Sequence, residues 1–578
     1  MCGIFSFVNL LKDKISTNQM INLFRDFNEL KHRGPDNSYF ETYSNVVVGF
    51  HRLSIVDDTF NSNQPFILND EDGDRTIVFI CNGEIYNFKN IIETFHLDEK
   101  IKSDCMVIPQ LYLKIRKEDD FISFVRNVVI GEFAFLLFDF KFKKLTNLIV
   151  CRDSVGIRPL YFHPYKDDVS DSLFFTSELK GALNFKKEII EFPPGNLFNY
   201  KFDKDENLCK IMFNKIKSYS TPSTILLTNN LQNEYISLML KNVYDSVSKA
   251  IEIRLNADKP FAFLLSGGVD SSLVASIASR ILKDRNYDNK IKTFCCGIKD
   301  DSNRNEKQDL TFARMVANHI NSEHTEVLFT PEEALKCIPD VIRTVESWDT
   351  TTIRASVGQY LVSKYISENT DCKVVMVGEG PDEVCSSYLF NWYAPNSEAL
   401  DMASRESIEN IHYYDIKRAD RCISRWGLEG RVPFLDPEFI KAYLSIPSLL
   451  RMPTFKGMEK WWLREAFNKC NFLPEKVLWR KKEAFSDGIS GEKSWFEIIQ
   501  EWVEDKVTNE ELQNSKMKYP YCTPTTKEAY YYRRIFCEIF GEHRQRVIPN
   551  YWQPKWNSNG EEISTYVDPS ARTLSVYK

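Results

Sequence analysis

The hydrophobic pattern changes character near residue 235, and that change constrains the fold more than any other feature of the chain. Before it, short β-type runs occupy 45–53, 76–81, 133–138, 145–151 and 173–176, punctuated by turn signals such as Arg33-Gly34-Pro35-Asp36 and Asn82-Gly83. Many strands and few helices predict packed, mainly antiparallel sheets under a covering layer of helices. After it, a helix at 234–255 leads to a strand at 260–265, a Gly turn and a helix at 271–282. A strand at 292–298, a helix at 309–320 and a strand at 326–329 follow, and 374–377 is the last strand before a mostly helical remainder. Alternating β and α at this spacing predicts a parallel, doubly wound sheet. The expected fold class is therefore α/β and α+β in two domains, consistent with a length of 578 residues. The expected division is 2–205 for the first domain, 206–234 for a linker, 235–555 for the second domain and 556–578 for a polar tail.

Bulk properties exclude several classes of function. A net charge of -7 is small for this length and gives no basic footprint for nucleic acid. No apolar run approaches the roughly 18 residues that span a bilayer, and the best stretch, 131–140, is broken by Glu132. The start, MCGIFSFVNL, carries no basic leader, so a cytoplasmic protein is expected. The 14 cysteines include no CxxC pair, which argues against a zinc motif or a disulfide framework. Most read as reduced, buried thiols, and Cys2 is the exception.

If Met1 is removed, Cys2 becomes the N-terminus and carries both a thiol and an α-amine. An α-amine titrates near neutrality, so it is able to take the thiol proton and later protonate a leaving amine. Downstream stand Lys31-His32-Arg33-Gly34-Pro35-Asp36, His51-Arg52-Leu53-Ser54-Ile55-Val56-Asp57 and Asn82-Gly83-Glu84-Ile85-Tyr86-Asn87. Arg152-Asp153-Ser154-Val155-Gly156 and Ser177-Glu178-Leu179-Lys180 come later. Taken singly, Asn82-Gly83 is most often a hairpin turn, Arg52 a surface charge and His32 a satisfied structural histidine. Taken in order with MCGI, the set resembles the class II glutamine amidotransferase domain, an N-terminal-nucleophile glutaminase with an αββα sandwich.

The resemblance implies a nucleophile at Cys2 and an oxyanion site at the Asn82 side-chain amide and the Gly83 N–H. It implies a glutamine pocket in which Arg52 grips the α-carboxylate while Glu84 and Asp104 hold the α-ammonium. Leu53, Ser54, Ile55 and Val56 belong to the same pocket by that resemblance.

The second constellation is Ser266-Gly267-Gly268-Val269-Asp270-Ser271-Ser272, placed between an apolar strand and an amphipathic helix. Backbone N–H groups, hydroxyls and the helix dipole converge there into an anion cradle. No Gly-Lys-Ser/Thr follows, so it is not a Walker loop. It resembles the pyrophosphate loop of ATP-dependent adenylating enzymes. Further matches include Gly378-Glu379-Gly380-Pro381-Asp382-Glu383, Arg418-Ala419-Asp420-Arg421, Gly430-Arg431-Val432-Pro433-Phe434 and Arg480-Lys481-Lys482-Glu483-Ala484-Phe485. With Cys2 on the same chain, nearly the whole length resembles glutamine-hydrolysing asparagine synthetases.

That resemblance implies hydrolysis of glutamine in the first domain, internal passage of ammonia, and adenylation then amidation of aspartate in the second. Leu265, Ser266, Gly267, Gly268, Asp270, Ser271, Cys296, Val377 and Gly378 would bind ATP. Asp270 and Asp382 would hold Mg2+ on the pyrophosphate. Glu379 would help form β-aspartyl-AMP, and Lys482 would neutralise charge on the α-phosphate. Glutamine, aspartate and ATP are the implied substrates, and a homodimer is an expectation of the family only.

Two rivals stay open at this point. One is an ATP-dependent amidotransferase of the same architecture that acts on another carboxylate, although the intact Cys2 counts against the β-lactam synthetases. The other is a catalytically silent paralogue that serves as a binding subunit. It draws on a departure from the family pattern, which usually resembles Ser-Gly-Glu-Gly-Ser-Asp-Glu followed by a flexible Gly pair. Here Val377 and Pro381 replace hydroxyls, and Ser386-Ser387 stands at the flexible pair. An active but altered nucleotide site is the expectation.

Overall fold

The structure is a computed structural model that describes residues 1–564 apart from 12, 99, 116, 166–170, 217–231, 288, 300–307 and 482–493. Two antiparallel sheets of six strands build the N-terminal part. The first runs, edge to edge, Ile190–Glu191, Tyr161–Phe162, Ser172–Thr176, Gly3–Asn9, Val46–Arg52 and Asn37–Tyr43. The second runs Leu208–Lys215, Asn196–Phe202, Lys144–Arg152, Gly131–Lys141, Arg75–Ile85 and Phe66–Asn69.

Period-two alternation explains how they stack. Ile4 and Val8 point inward to meet Val78, Ile80, Leu136 and Val150 of the opposite sheet. Phe5 and Phe7 point outward, onto Leu23 and Phe27 of the helix Thr17–Asn28. The outer face of the second sheet is covered by Phe88–Phe95, Val107–Lys114 and Glu118–Asn127. This is the expected αββα sandwich.

The C-terminal part holds a parallel sheet in the order Glu323–Phe329, Lys292–Ile298, Phe261–Leu264, Val374–Met376, Glu429–Arg431. The chain begins this sheet in the middle, at Phe261–Leu264, and then builds outward on both sides. The order therefore reverses at that strand, and the crevice beyond its carboxyl end is where such sheets bind ligands. The Ser266–Ser271 loop leaves from that point into the helix Val269–Asp284.

Three sequence expectations are corrected. Asn82-Gly83 is not a turn but lies inside the strand Arg75–Ile85, with Asn82 opposite Ala134 and Gly83 opposite Phe133. Glycine is required because a Cβ at position 83 would lie 2.1 Å from the Glu132 carbonyl oxygen, at a φ of +153°. The stretch from 206 is not all linker, because Leu208–Lys215 pairs with Asn196–Phe202 as an edge strand. Its half-exposed, polar composition is what an edge strand tolerates. A fifth parallel strand, Glu429–Arg431, follows 374–377. Its two charges hid it, yet both are buried because Arg431 Nε meets Glu429 Oε1 at 2.8 Å.

Part of the expected linker, 217–231, and the end of the expected tail, 565–578, lie outside the described residues. The tail nevertheless begins in a core, since Trp556 is buried against Phe390 and Leu400. Among the described residues no helix is long and apolar enough to cross a membrane.

Candidate functional site

Cys2 stands at the head of Gly3–Asn9, the central strand that links both neighbours of the first sheet. Its backbone N–H donates to Asn82 Oδ1 at 3.0 Å, and its carbonyl accepts from Arg33 Nε at 2.8 Å. Its Sγ lies 3.4 Å from the Leu53 N–H. The Asn82 Nδ2 is buried without a hydrogen-bond partner among the described residues, a donor held beside the thiol with nothing to bind. An orphaned amide donor of this kind costs stability unless a ligand satisfies it.

With Met1 in place, Cys2 has no free amine. Burial pushes its thiol up to about 11 and pushes the Met1 ammonium down to about 6. The thiol is therefore protonated at neutral pH, and no adjacent base of its own residue exists to activate it. Met1 itself is buried and donates from its ammonium to the Leu428 carbonyl at 3.3 Å.

Of the other residues expected of a glutamine pocket, some pack beside Cys2. Leu53 and Ile55 are buried against Val374, with Val56 and Cys2 packed on the same cluster. Ser54 is fixed by its N–H, which donates to Asp36 Oδ2 at 2.8 Å. Asp104 and Glu84 are buried neighbours, and Asp104 Oδ2 accepts from the Ile85 N–H at 2.6 Å. Burial raises the carboxyl of Asp104 to about 6, and burial with the adjacent Asp104 raises Glu84 well above the usual carboxylate range. Two acids held short of full ionisation are suited to gaining a cation.

Arg52 is engaged with the protein itself. It donates to the Thr59 carbonyl at 3.0 Å and to Asn63 Oδ1 at 2.7 Å, and also to the Asp57 carbonyl. His32 keeps the structural role first weighed for it, with Nε2 3.0 Å from Glu178 Oε2.

The second site is a cavity of about 330 Å³ at the switch point of the parallel sheet. Leu265, Ser266, Gly268, Asp270 and Ser271 line it from the loop, Cys296 from the next strand, and Gly378 from the end of Val374–Met376. Gly268 is the N-cap of Val269–Asp284 and supplies no side-chain cap, and Val269, Asp270 and Ser271 of the first turn line the cavity, an arrangement suited to an anion.

Two expected residues serve from behind the wall. A Cβ at Gly267 would lie 2.6 Å from the Ala313 N, so this glycine lets the loop pass the helix Gln308–Ile320, at a φ of +75°. Val377 is buried, and its N–H donates to the Arg431 carbonyl at 3.1 Å. Neither lines the cavity. Lys482 lies outside the described residues.

Lys460 was missed. Its ammonium lies 2.5 Å from Asp270 Oδ2 and 2.7 Å from Asp382 Oδ1, and both carboxylates hold it protonated. No periodicity or turn signal marks a lysine ahead of Trp461; only the fold brings it between two acids. Glu379 was also placed without its partners. Its Oε1 accepts from Gln359 Nε2 at 3.1 Å and from Arg418 at 3.3 Å, and burial raises its carboxyl. Asp270 and Asp382 converge on one cation, are partly exposed to the cavity and are oxygen donors. That donor set fits a hard divalent cation shared with phosphate oxygens.

The departures are accommodated unevenly. Pro381 takes the first position of the short helix Pro381–Val384, where a missing N–H removes no intrahelical bond. Ser386 instead adopts φ +52° with a buried hydroxyl that has no partner among the described residues. Ser387 donates from its hydroxyl to Asp382 Oδ1 at 2.6 Å.

Comparison with known proteins identifies the family of both domains. The model of the glutamine amidotransferase domain matches residues 1–235, and the asparagine synthase model matches 242–405 and 391–566. The chain is 37% identical to the asparagine synthetase [glutamine-hydrolyzing] of Gallus gallus, over all of this chain and 99% of that protein. The protein of that name from Homo sapiens is also 37% identical, with the same coverage.

Proposed function

This chain belongs to the glutamine-hydrolysing asparagine synthetase family, and we propose that it makes asparagine from aspartate, ATP and glutamine-derived ammonia. The observation that carries the reading is the strand Val374–Met376, which runs between the two sites. Val374 at its start packs with Leu53 and Ile55 beside Cys2, and Gly378-Glu379 just beyond its end lines the synthetase cavity. Ammonia passed along this strand inside the protein would be kept from protonating in water.

In the first half, loss of Met1 converts the Cys2 N–H into an amine already held on Asn82 Oδ1. That amine takes the thiol proton, and Sγ attacks the carboxamide carbon of glutamine. The oxyanion faces Asn82 Nδ2 and the Gly83 N–H, while Glu84 and Asp104 receive the substrate ammonium. Arg52 serves the α-carboxylate through whichever donors its present carbonyl partners release.

In the second half, the ATP phosphates lie on the Ser266–Ser271 loop and the helix N-terminus, with Lys460 beside the reacting phosphate oxygens. Mg2+ held by Asp270 and Asp382 would neutralise the pyrophosphate that leaves. Glu379, held by Gln359 and Arg418, lies at the ammonia end of the cavity to receive the amine proton. The protein acts in the cytoplasm in this reading.

The deciding experiment supplies glutamine, aspartate, ATP and Mg2+ and quantifies products. Asparagine, glutamate, AMP and pyrophosphate in equal amounts are expected. Cys2→Ala should lose glutamine-dependent synthesis and keep synthesis from ammonium salts. ADP in place of AMP, or undiminished glutaminase in Cys2→Ala, would refute the assignment.

A further inference from the structure

The cysteine spacing contains no zinc motif, but strand register assembles ligands that spacing does not reveal. Lys292–Ile298 and Glu323–Phe329 are parallel neighbours, with Thr293 opposite His324 and Cys295 opposite Glu326. Residues two apart on a strand share a face, and adjacent strands lie about 4.8 Å apart. Thr293, Cys295, His324 and Glu326 therefore form a two-by-two patch on one face of the sheet. One ligand atom from each of Cys295, His324 and Glu326 lies within 4.8 Å of the other two.

The distances match a metal's demands. Cys295 Sγ lies 3.3 Å from His324 Nε2. Tetrahedral zinc with ordinary Zn–S and Zn–N bonds would set that separation at about 3.6 Å, so a shift of a few tenths of an ångström suffices. Nδ1 of the same ring lies 2.9 Å from Thr293 Oγ1, which in turn lies 2.8 Å from Ser322 Oγ. A partner on Nδ1 fixes the ring and leaves the Nε2 lone pair for a ligand, as in known histidine metal sites.

Glu326 pairs with Arg314 through both oxygens, Nε to Oε1 at 2.5 Å and Nη2 to Oε2 at 3.2 Å. A carboxylate has lone pairs to spare beside a guanidinium, so this contact orients the ligand without consuming it. Cys295 is buried and lines the nucleotide cavity, while His324 and Glu326 are partly exposed and give an ion a way in.

The geometry points to a transition-metal site of the zinc class, built by Cys295, His324 and Glu326 on the face of the sheet beside the nucleotide cavity. The set of one thiolate, one imidazole and one carboxylate selects zinc or cobalt over magnesium or calcium. Binding forms the Sγ–metal bond and releases the Cys295 thiol proton to solvent, with water in the fourth position. The site does not depend on the proposed reaction, and its test reads binding alone.

The test titrates Co2+ into the chelator-treated full-length protein. One equivalent should produce thiolate-to-cobalt charge-transfer absorption, and added Zn2+ should remove it. Cys295→Ser should abolish the band, while Cys209→Ser, which removes an exposed thiol, should keep it. Thr293→Val, which removes the partner of Nδ1, should weaken Co2+ affinity about 10-fold to 100-fold. A wild-type protein without the band, a band that survives Cys295→Ser, or full affinity in Thr293→Val overturns the proposal.

Discussion

Ser386→Gly should stabilise the synthetase half of this protein. Ser386 sits at φ +52°, in the left-handed region that costs a non-glycine residue about 1–2 kcal/mol. Its hydroxyl is buried with no partner among the described residues, and an unsatisfied buried group costs about 1–3 kcal/mol. Glycine relieves both terms and gives back about 0.5–1 kcal/mol through the greater freedom of the unfolded chain. The balance is a gain of about 2 kcal/mol, or about 3 °C in the transition of a domain slightly above 300 residues. All 10 tryptophans lie between Trp348 and Trp556, so tryptophan fluorescence during heating or urea unfolding reports this half alone. An unchanged or lowered transition would mean that the turn is not strained and that the hydroxyl is satisfied.

Other perturbations separate the two sites. Lys460→Met, which removes the cation between Asp270 and Asp382, should lower AMP formation by about 10² to 10³ while glutamine hydrolysis persists; a radiolabelled pyrophosphate assay checks it. Glutaminase kcat/KM should fall as pH drops through about 6, because protonated Asp104 no longer attracts the substrate ammonium, and Asp104→Asn should abolish that limb of the profile. The sign for stability is opposite: the folded state holds the Asp104 proton more tightly, so this group's contribution declines as pH rises from near 3.8 through about 6. Asp420→Asn breaks a buried ion pair with Arg33, a loss of about 3 kcal/mol. It should raise the ratio of glutamate to asparagine above one, and a ratio still at one would refute its part in coupling.

The residues legible in sequence were those whose chemistry is local. The Ser266–Ser271 loop announces itself because strand, glycine turn and helix start are contiguous, and Cys2 because position two is special whatever follows. The strand Gly3–Asn9 is not among the runs read from the sequence, because its near-continuous apolar residues, buried on both faces, show no period-two alternation. What stayed hidden depends on distance through the fold. Lys460 reaches Asp270 across 190 residues, and Arg33 reaches Asp420 across 387. Glu429–Arg431 reads as part of the mostly helical remainder, because burial of either charge makes sense only with Glu84 and Arg158 beside them. Asn82-Gly83 misled for the opposite reason: its local signal favours a turn, and the close approach of Glu132 overrides it.

Charge at the boundary between the halves has a consequence for how they work together. The helix Asp415–Ser424 touches both sites: Arg418 bonds to Glu379, and two residues on Asp420 accepts from Arg33 at 2.8 Å. Arg33 in turn holds the Cys2 carbonyl. Around this axis Lys417 pairs with Glu191, Arg254 with Glu132, Lys180 with Glu346 and Arg431 with Glu84, all of them buried. Apolar residues of equal volume would give an interface at least as stable, because each pair must first be stripped of water. Apolar surfaces, however, tolerate sliding by an ångström or two, whereas a buried ion pair stripped of its partner costs about 3–5 kcal/mol. Several such pairs on both sides of one short helix restrict the halves to a single register. If ammonia made beside Cys2 is to reach Glu379, as proposed, those two places must stay in line, and buried pairs that penalise sliding would keep them so.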